Sequence, residues 1–353
     1  MTENTRRLKA SDEPLVSSYD CAMLDLDGVV YVGADVIEGV PRLLDEAGKR
    51  EMALAFVTNN ASRTPQQVAE HLQRLGIAAD ASDVVTSAQA AARATADRLS
   101  PGSRVLVIGG EGLVEALRDR HLEPVVWEAR TSHLEPAGDI PTAVVQGFHP
   151  SVGWEQLAYG AHVVSGGALW VAANLDLTIP TARGIAPGNG TLVDAIAAAA
   201  GRRPDVVAGK PFRPLFDETV DRTGSRRPLV VGDRLDTDIE GAVRCGAHSL
   251  LVMTGVTDLR TAALAVGDRR PDYVSRTLSG LLASHPVPEH AGDRAALGDW
   301  LAEVDDGELV VPRRGSDEDE GLRVVISVAW QWLDDHPDRR LGLDGVRRIW
   351  PDA

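Results

Sequence analysis

Four short apolar runs in this chain stop at residues capable of chemistry, and this coincidence constrains the fold more than any bulk property. Leu24 is followed by Asp25 and Asp27, Val57 by Thr58-Asn59-Asn60, Ala208 by Gly209-Lys210, and Val231 by Gly232-Asp233. Helical patterns separate the apolar runs over most of the length, which predicts an α/β fold with a largely parallel sheet. In open sheets of that kind ligands bind outside the carboxyl ends of the strands. Four such ends in one sheet would gather two acids, a hydroxyl–amide pair, an ammonium and a further acid on a single rim.

The first run is the most informative. In Asp25-Leu26-Asp27-Gly28-Val29-Val30-Tyr31 two carboxylates stand two residues apart. Extended backbone would point both the same way and turn Leu26 into the core. Gly28 then allows a sharp turn. One carboxylate can attack while its neighbour handles a proton. A calcium-binding EF-hand loop is excluded, because the later acidic positions and the terminal Glu are missing. Lys210 gains interest from composition: only it, Lys9 and Lys49 are lysine among 36 basic residues. A lysine kept in so arginine-rich a chain marks a place where a compact ammonium matters.

Along the chain, helices are expected over 40–49 and 65–75, the latter with Thr64 as N-cap and Pro65 at its first position. A strand over 52–57 lies between them. A second α/β unit follows, with strands at 104–108, 142–145 and 169–173 and helices at 88–99, 112–120 and 154–164. Helix 190–200, strand 205–208, helix 215–222, strand 229–231, helix 238–245 and strand 249–253 then read as the first pattern resumed. The predicted organisation is a core over 1–84, an inserted domain over 85–184, the rest of the core over 185–284 and an extension over 285–353. That extension carries Trp300, Trp330, Trp332 and Trp350, four of the seven tryptophans. Its expected elements are a strand over 309–311 and a helix over 321–333.

A length of 353 residues suits two or three domains, and 44% hydrophobic with 25% charged residues is an ordinary globular composition. A net charge of −16 argues against nucleic acid and anionic membrane surfaces as partners. No apolar run approaches the ~20 residues that span a bilayer. The first twenty residues are polar, unlike a signal peptide. Cys21 and Cys245 read as free thiols. Together these features predict a cytoplasmic protein.

The four motifs, Asp25-Leu26-Asp27-Gly28, Val57-Thr58-Asn59-Asn60, Gly209-Lys210-Pro211 and Val231-Gly232-Asp233 through Asp238-Ile239, resemble those of the haloacid-dehalogenase-like phosphatase superfamily. They are most similar to its nitrophenylphosphatase-like branch, which includes phosphoglycolate and glycerol-phosphate phosphatases. The resemblance covers residues 20–282. It implies a doubly wound, mainly parallel Rossmann-like core with an inserted α/β cap, here followed by a small C-terminal extension. It further implies that Asp25 is the nucleophile forming an aspartyl-phosphate and Asp27 the acid–base. Asp25, the Asp27 carbonyl and Asp233 would hold Mg²⁺, with Mn²⁺ or Co²⁺ as substitutes and Asp238 in an outer position. Thr58, Asn59 and Asn60 would bind phosphoryl oxygens, and Lys210 would neutralise nucleophile and phosphate. The implied substrate is a small phosphomonoester: glycerol 3-phosphate first, phosphoglycolate second, aryl phosphates third. A homodimer formed through cap or extension is a separate expectation.

In the cap, His149 stands where relatives often carry an acid after the Gly-Phe pair. Asn174 and Asp176 are expected at a hinge or facing the cleft, and Arg130, His133 and Arg183 are candidate substrate contacts. Two rivals come from other classes. A phospho-receiver shares the acidic pocket and lysine, but Asp27 would hydrolyse the acyl-phosphate a switch must keep. A scaffold would act through the tryptophan-rich tail.

Overall fold

The computed structural model describes residues 6–127, 140–181 and 183–347, which fall into two units. Arg130, His133 and Trp350 lie outside the described residues. The first unit comprises Met1–Ala55, Leu75–Ile77 and Thr223–Ala353; the second comprises Phe56–Arg74 and Ala78–Arg222. Each is built as the apolar pattern requires, with buried parallel strands joined through helices.

In the first unit Cys21–Leu24 pairs in parallel with Pro228–Gly232, which pairs with His248–Val252, which pairs with Tyr273–Ser275. All four residues of Cys21–Leu24 are buried, as in a strand covered on both faces. Both cysteines are free. Helix Val40–Lys49 buries Val40, Leu44 and Ala47, one stripe at helical spacing.

The extension is part of this unit's core. Glu289–His290, Arg294–Leu297, Trp300–Asp305 and Glu308–Arg313 form a four-stranded antiparallel sheet, and helix Glu318–Asp335 packs with it. Trp300, Trp330 and Trp332 are buried in a cluster that includes Leu251 and Val274 of the parallel strands. The Trp330 indole N–H donates to the Ala262 carbonyl at 2.9 Å. Buried Arg270 pairs with Asp334 at 2.8 Å and lies over the Trp330 ring, 5.1 Å from its centroid. These three indoles are spent inside the unit, which removes them as anchors for the scaffold reading. Indoles so placed typically cost about 3–5 kcal/mol on truncation to alanine. Three strands here were not anticipated, although Asp306-Gly307, with φ of 45° and 79°, makes the turn that favours Asp-Gly in hairpins.

In the second unit five parallel strands lie in the order Val206–Val207, Leu169–Ala172, Ala143–Gln146, Arg104–Ile108, Glu123–Val126. Helices Trp154–Ser165 and Asn189–Ala200 pack on one another, and Trp170, Tyr159, Val193 and Ile196 fill the core beneath. Buried Glu218 is held by Arg93, Arg120 and Arg222 at 3.3, 2.9 and 2.7 Å. This arrangement corrects the sequence reading on one point. Val206–Val207 pairs with Val171–Ala172, and the Trp170 N–H donates to Asp205 at 2.8 Å. Lys210 therefore follows the edge strand of the second sheet, and the four motif strands do not share one sheet. The second sheet continues to residue 207, past the boundary expected at 184. No helix among the described residues is long and apolar enough to cross a membrane.

One buried base makes the first unit's stability pH-dependent. His285 is 1% exposed, its Nε2 meets the Gly280 carbonyl at 2.9 Å, and its ring lies edge-on to Tyr273. Burial pushes its pKa down to about 4 from 6.5. The fold thus favours the neutral ring, while the unfolded chain takes up a proton below 6.5. Stability should fall as pH drops from 6.5 toward 4, by about 2 kcal/mol between pH 7 and pH 5. Urea midpoints at the two pH values, compared between wild type and His285→Gln, measure it; the variant should lose much less.

Candidate active site

The first unit gathers acids at the carboxyl ends of two adjacent strands. Beyond Leu24, the Asp25 N–H still donates to the Val231 carbonyl at 2.9 Å, carrying the ladder to the strand's last step. Leu26 is buried, and its carbonyl accepts the N–H groups of Val30 and Tyr31 at 2.9 and 3.1 Å. Gly28 takes φ of 85° to turn the chain there. Asp27 reaches solvent at its tip. Desolvation raises its pKa despite an N–H from Gly33, and the Asp25 charge adds to the rise.

Asp233 and Asp238 are fully buried. The Val256 N–H donates to Asp233 Oδ2 at 2.6 Å, and the Arg234 N–H to Asp238 Oδ2 at 3.2 Å. A wide helical turn over Leu235–Ile239 brings Asp238 back beside Gly232 before helix Glu240–Cys245. Crowding here admits only glycine: a Cβ at Gly28 would lie 2.4 Å from Asp233 Oδ2, one at Gly255 2.0 Å from the same oxygen, and one at Gly232 2.2 Å from Asp238 Cγ. One oxygen each of Asp25, Asp233 and Asp238 lies within 4.8 Å of the others. Unit charges so close repel by about 4 kcal/mol per pair at an effective dielectric near 20. An all-oxygen, multiply anionic donor set fits a hard divalent cation such as Mg²⁺. Asp238, expected in an outer position, is as near as the other two.

The second unit holds the remaining motif residues. Thr58 ends strand Ala53–Thr58, and its Oγ1 accepts the Asn60 N–H at 3.1 Å. The Asn59 carboxamide accepts the Lys210 N–H at 2.8 Å and donates to the Lys210 carbonyl and both Asp176 oxygens, each at 3.2 Å. Asn60 Oδ1 accepts N–H groups of Ser62 and Arg63 at 2.9 and 3.3 Å. Lys210 is 4% exposed, with Nζ 3.4 Å from the Val57 carbonyl. The Asn59 carboxamide and Asn60 Oδ1 thus hold the local turn. Asn59 clamps the lysine loop, while the Thr58 hydroxyl proton is left to donate. Asn174 supports the same turn through the Asn59 carbonyl at 2.7 Å and the Asp176 N–H at 3.1 Å. Arg183 sits exposed in a hairpin turn, its N–H donating to Thr181.

Sequence reasoning missed the Thr254–Val256 loop. It follows strand His248–Val252, so the strand-end rule that found the other residues points to it as well.

Residues 22–123 match the family described as haloacid dehalogenase-like hydrolase, and residues 207–281 a second described as HAD-hydrolase-like. The chain is similar to the D-glycerol 3-phosphate phosphatase of Mycobacterium tuberculosis, 43% identical over 326 residues that make up 89% of this chain and 86% of that one. The crystal structure of a glycerol phosphate phosphatase from the same organism in complex with magnesium superposes with a TM-score of 0.82 at 40% identity, covering 96% of this chain and 97% of that one. A p-nitrophenyl phosphatase from Archaeoglobus fulgidus gives a TM-score of 0.67 at 28% identity, covering 75% and 98%.

The clamp has a consequence independent of activity. Asn59→Ala removes the acceptor of the Lys210 N–H, so hydrogen exchange at that amide should speed up by at least about fivefold, one lost hydrogen bond being worth roughly 1 kcal/mol or more. Amide exchange read by mass spectrometry or NMR checks it.

Proposed function

The chain belongs to the haloacid dehalogenase-like hydrolases, and from that membership we propose that it is a Mg²⁺-dependent phosphatase that hydrolyses glycerol 3-phosphate to glycerol and phosphate. The glycine-caged cluster of Asp25, Asp233 and Asp238, with Asp27 two residues beyond the first acid, is the observation that carries this reading. The relative 43% identical over most of the chain supports the substrate, and the magnesium-bound relative supports the ion. Phosphoglycolate and aryl phosphates rank behind.

Asp25 attacks phosphorus, the bond from phosphorus to the alcohol oxygen breaks, and its electron pair leaves with that oxygen, which takes a proton from Asp27. Water then attacks the aspartyl-phosphate and gives its proton to Asp27, and Asp25 is released. Desolvation and the adjacent Asp25 charge both favour the protonated form of Asp27, suiting it to hold that proton. Thr58 donates to a phosphoryl oxygen. Lys210 supplies a compact positive charge to the phosphate, positioned through Asn59 and Asp176. Asp25, the Asp27 carbonyl and Asp233 would hold Mg²⁺ beside Asp238; when bound it supplies the charge that lets an anionic ester approach carboxylates. Mn²⁺ or Co²⁺ could take its place. Phosphoryl transfer depends mainly on such positioning and charge stabilisation.

The same reading takes the α/β segment carrying the second sheet as a cap that excludes bulky esters. It places the enzyme in the cytoplasm, as a homodimer serving glycerolipid metabolism.

Phosphate release from glycerol 3-phosphate in Mg²⁺ is the direct test. Asp25→Asn should reduce it to a few per cent or less with the fold retained, and chelation with EDTA should abolish it until Mg²⁺ is returned. Undiminished turnover after either treatment would overturn the covalent, metal-assisted reading.

Lys210→Arg should lower kcat by two or more decades, because a planar guanidinium cannot replace a buried ammonium. Lys9 is exposed, and Lys49 sits in an exposed ion pair with Asp45. Lys9→Arg and Lys49→Arg should therefore stay near wild type. Kinetics of the three variants side by side read out the difference.

A further inference from the structure

The second unit's own sheet has a polar carboxyl rim that the catalytic residues only begin to fill. Lys210 follows strand Val206–Val207, Asn174 and Asp176 follow Leu169–Ala172, and His149 follows Ala143–Gln146, in that spatial order. The His149 ring has a defined state. The Ser151 backbone N–H, which can only donate, points at Nδ1 from 3.2 Å, and the Ser151 hydroxyl meets the same nitrogen at 2.7 Å. Nδ1 is therefore the acceptor, and the neutral ring carries its proton on Nε2. Among the described residues no hydrogen bond engages Nε2.

The ring's place is set as well. A Cβ at Gly110 would fall 2.8 Å from His149 Cδ2 and 2.9 Å from the Ser62 carbonyl, so only glycine lets the imidazole lie this close to the loop that follows Thr58-Asn59-Asn60. A Cβ at Gly147 would touch Ala61 Cβ at 3.0 Å and Ala173 Cβ at 3.5 Å, which ties the same loop to both rim segments. Adjacent strands stand about 4.8 Å apart, so the first and third rim positions are separated by roughly 10 Å. A phosphate with a short polyol chain spans a comparable distance.

We propose that His149 is a specificity-determining residue whose Nε2–H donates to a hydroxyl oxygen on the alcohol half of the substrate while Lys210 and Thr58 hold the phosphate half. This inference rests on the phosphatase reading above. It assigns the rim a ligand class, short hydroxylated alcohols, and gives a reason for preferring them to aryl esters. A polar group built to meet a substrate hydroxyl discriminates against esters that lack one.

The test compares glycerol 3-phosphate with phenyl phosphate, whose leaving group has nothing to receive the Nε2 proton, on the full chain in Mg²⁺. The readout is the ratio of kcat/KM for the two esters. In His149→Ala the ratio should fall by about five- to tenfold, the worth of one neutral hydrogen bond, chiefly through KM for glycerol 3-phosphate. His149→Gln, which can present an N–H at similar reach, should recover most of it. A ratio unchanged in His149→Ala, or both esters slowed equally by His149→Ala and His149→Gln, would overturn the assignment. Failure of the wild type to release phosphate from either ester would refute the phosphatase reading itself and take this proposal with it.

Discussion

Repulsion among three carboxylates is the constraint from which the rest of the first unit can be derived. Asp25, Asp233 and Asp238 are pressed together by backbone geometry that tolerates only glycine at 28, 232 and 255. Such packing is unfavourable for the protein alone, and parallel strands buried on both faces are what force it. Stability invested in that sheet is returned as a site with a strong demand for a divalent cation. The Trp330, Arg270 and Asp334 contacts brace the same strands through the segment that leads into Tyr273–Ser275.

The second unit solves a different problem, holding one ammonium still. Lys210 follows an edge strand of only two residues, which by itself fixes little. Asn59 provides what the strand cannot, bonding the lysine's own N–H and carbonyl as a neighbouring strand would. Asp176 in turn fixes the carboxamide. An asparagine suits this role because its side chain offers one donor group and one acceptor in a single plane, like a peptide.

Much of this was legible in the sequence because burial writes itself as apolar runs and helical stripes. Strand Arg104–Ile108 and helix Trp154–Ser165 stand within a residue of where the pattern put them. The acids after Leu24 and Val231 were visible for the same reason, since polar residues ending an apolar run mark a strand terminus. Partner choice was not legible. Nothing local in Val206-Val207 tells which strand it joins, and its pairing with Val171–Ala172 depends on residues more than thirty positions away. Nor does an asparagine's position announce whether its amide will face a ligand or a loop. The tryptophans after residue 285 suggested docking because aromatic content alone does not distinguish an interface from a core; only their packing against Leu251 and Val274 decides it.

The pairing of Cys21–Leu24 with Pro228–Gly232 has a consequence for how the molecule comes into being. About two hundred residues separate the partners, so on the ribosome the first strand waits roughly 10–40 s at ordinary elongation rates before its neighbour exists. During that interval the first strand lacks its neighbour on one side. The intervening chain, by contrast, carries the whole second unit in one nearly continuous stretch and can fold while the first is still incomplete. Synthesis therefore completes the second unit's sequence before the first unit's. The acids come together only after strand Pro228–Gly232 has emerged, so a nascent chain cannot bind the ion, or act, before most of its length has been made.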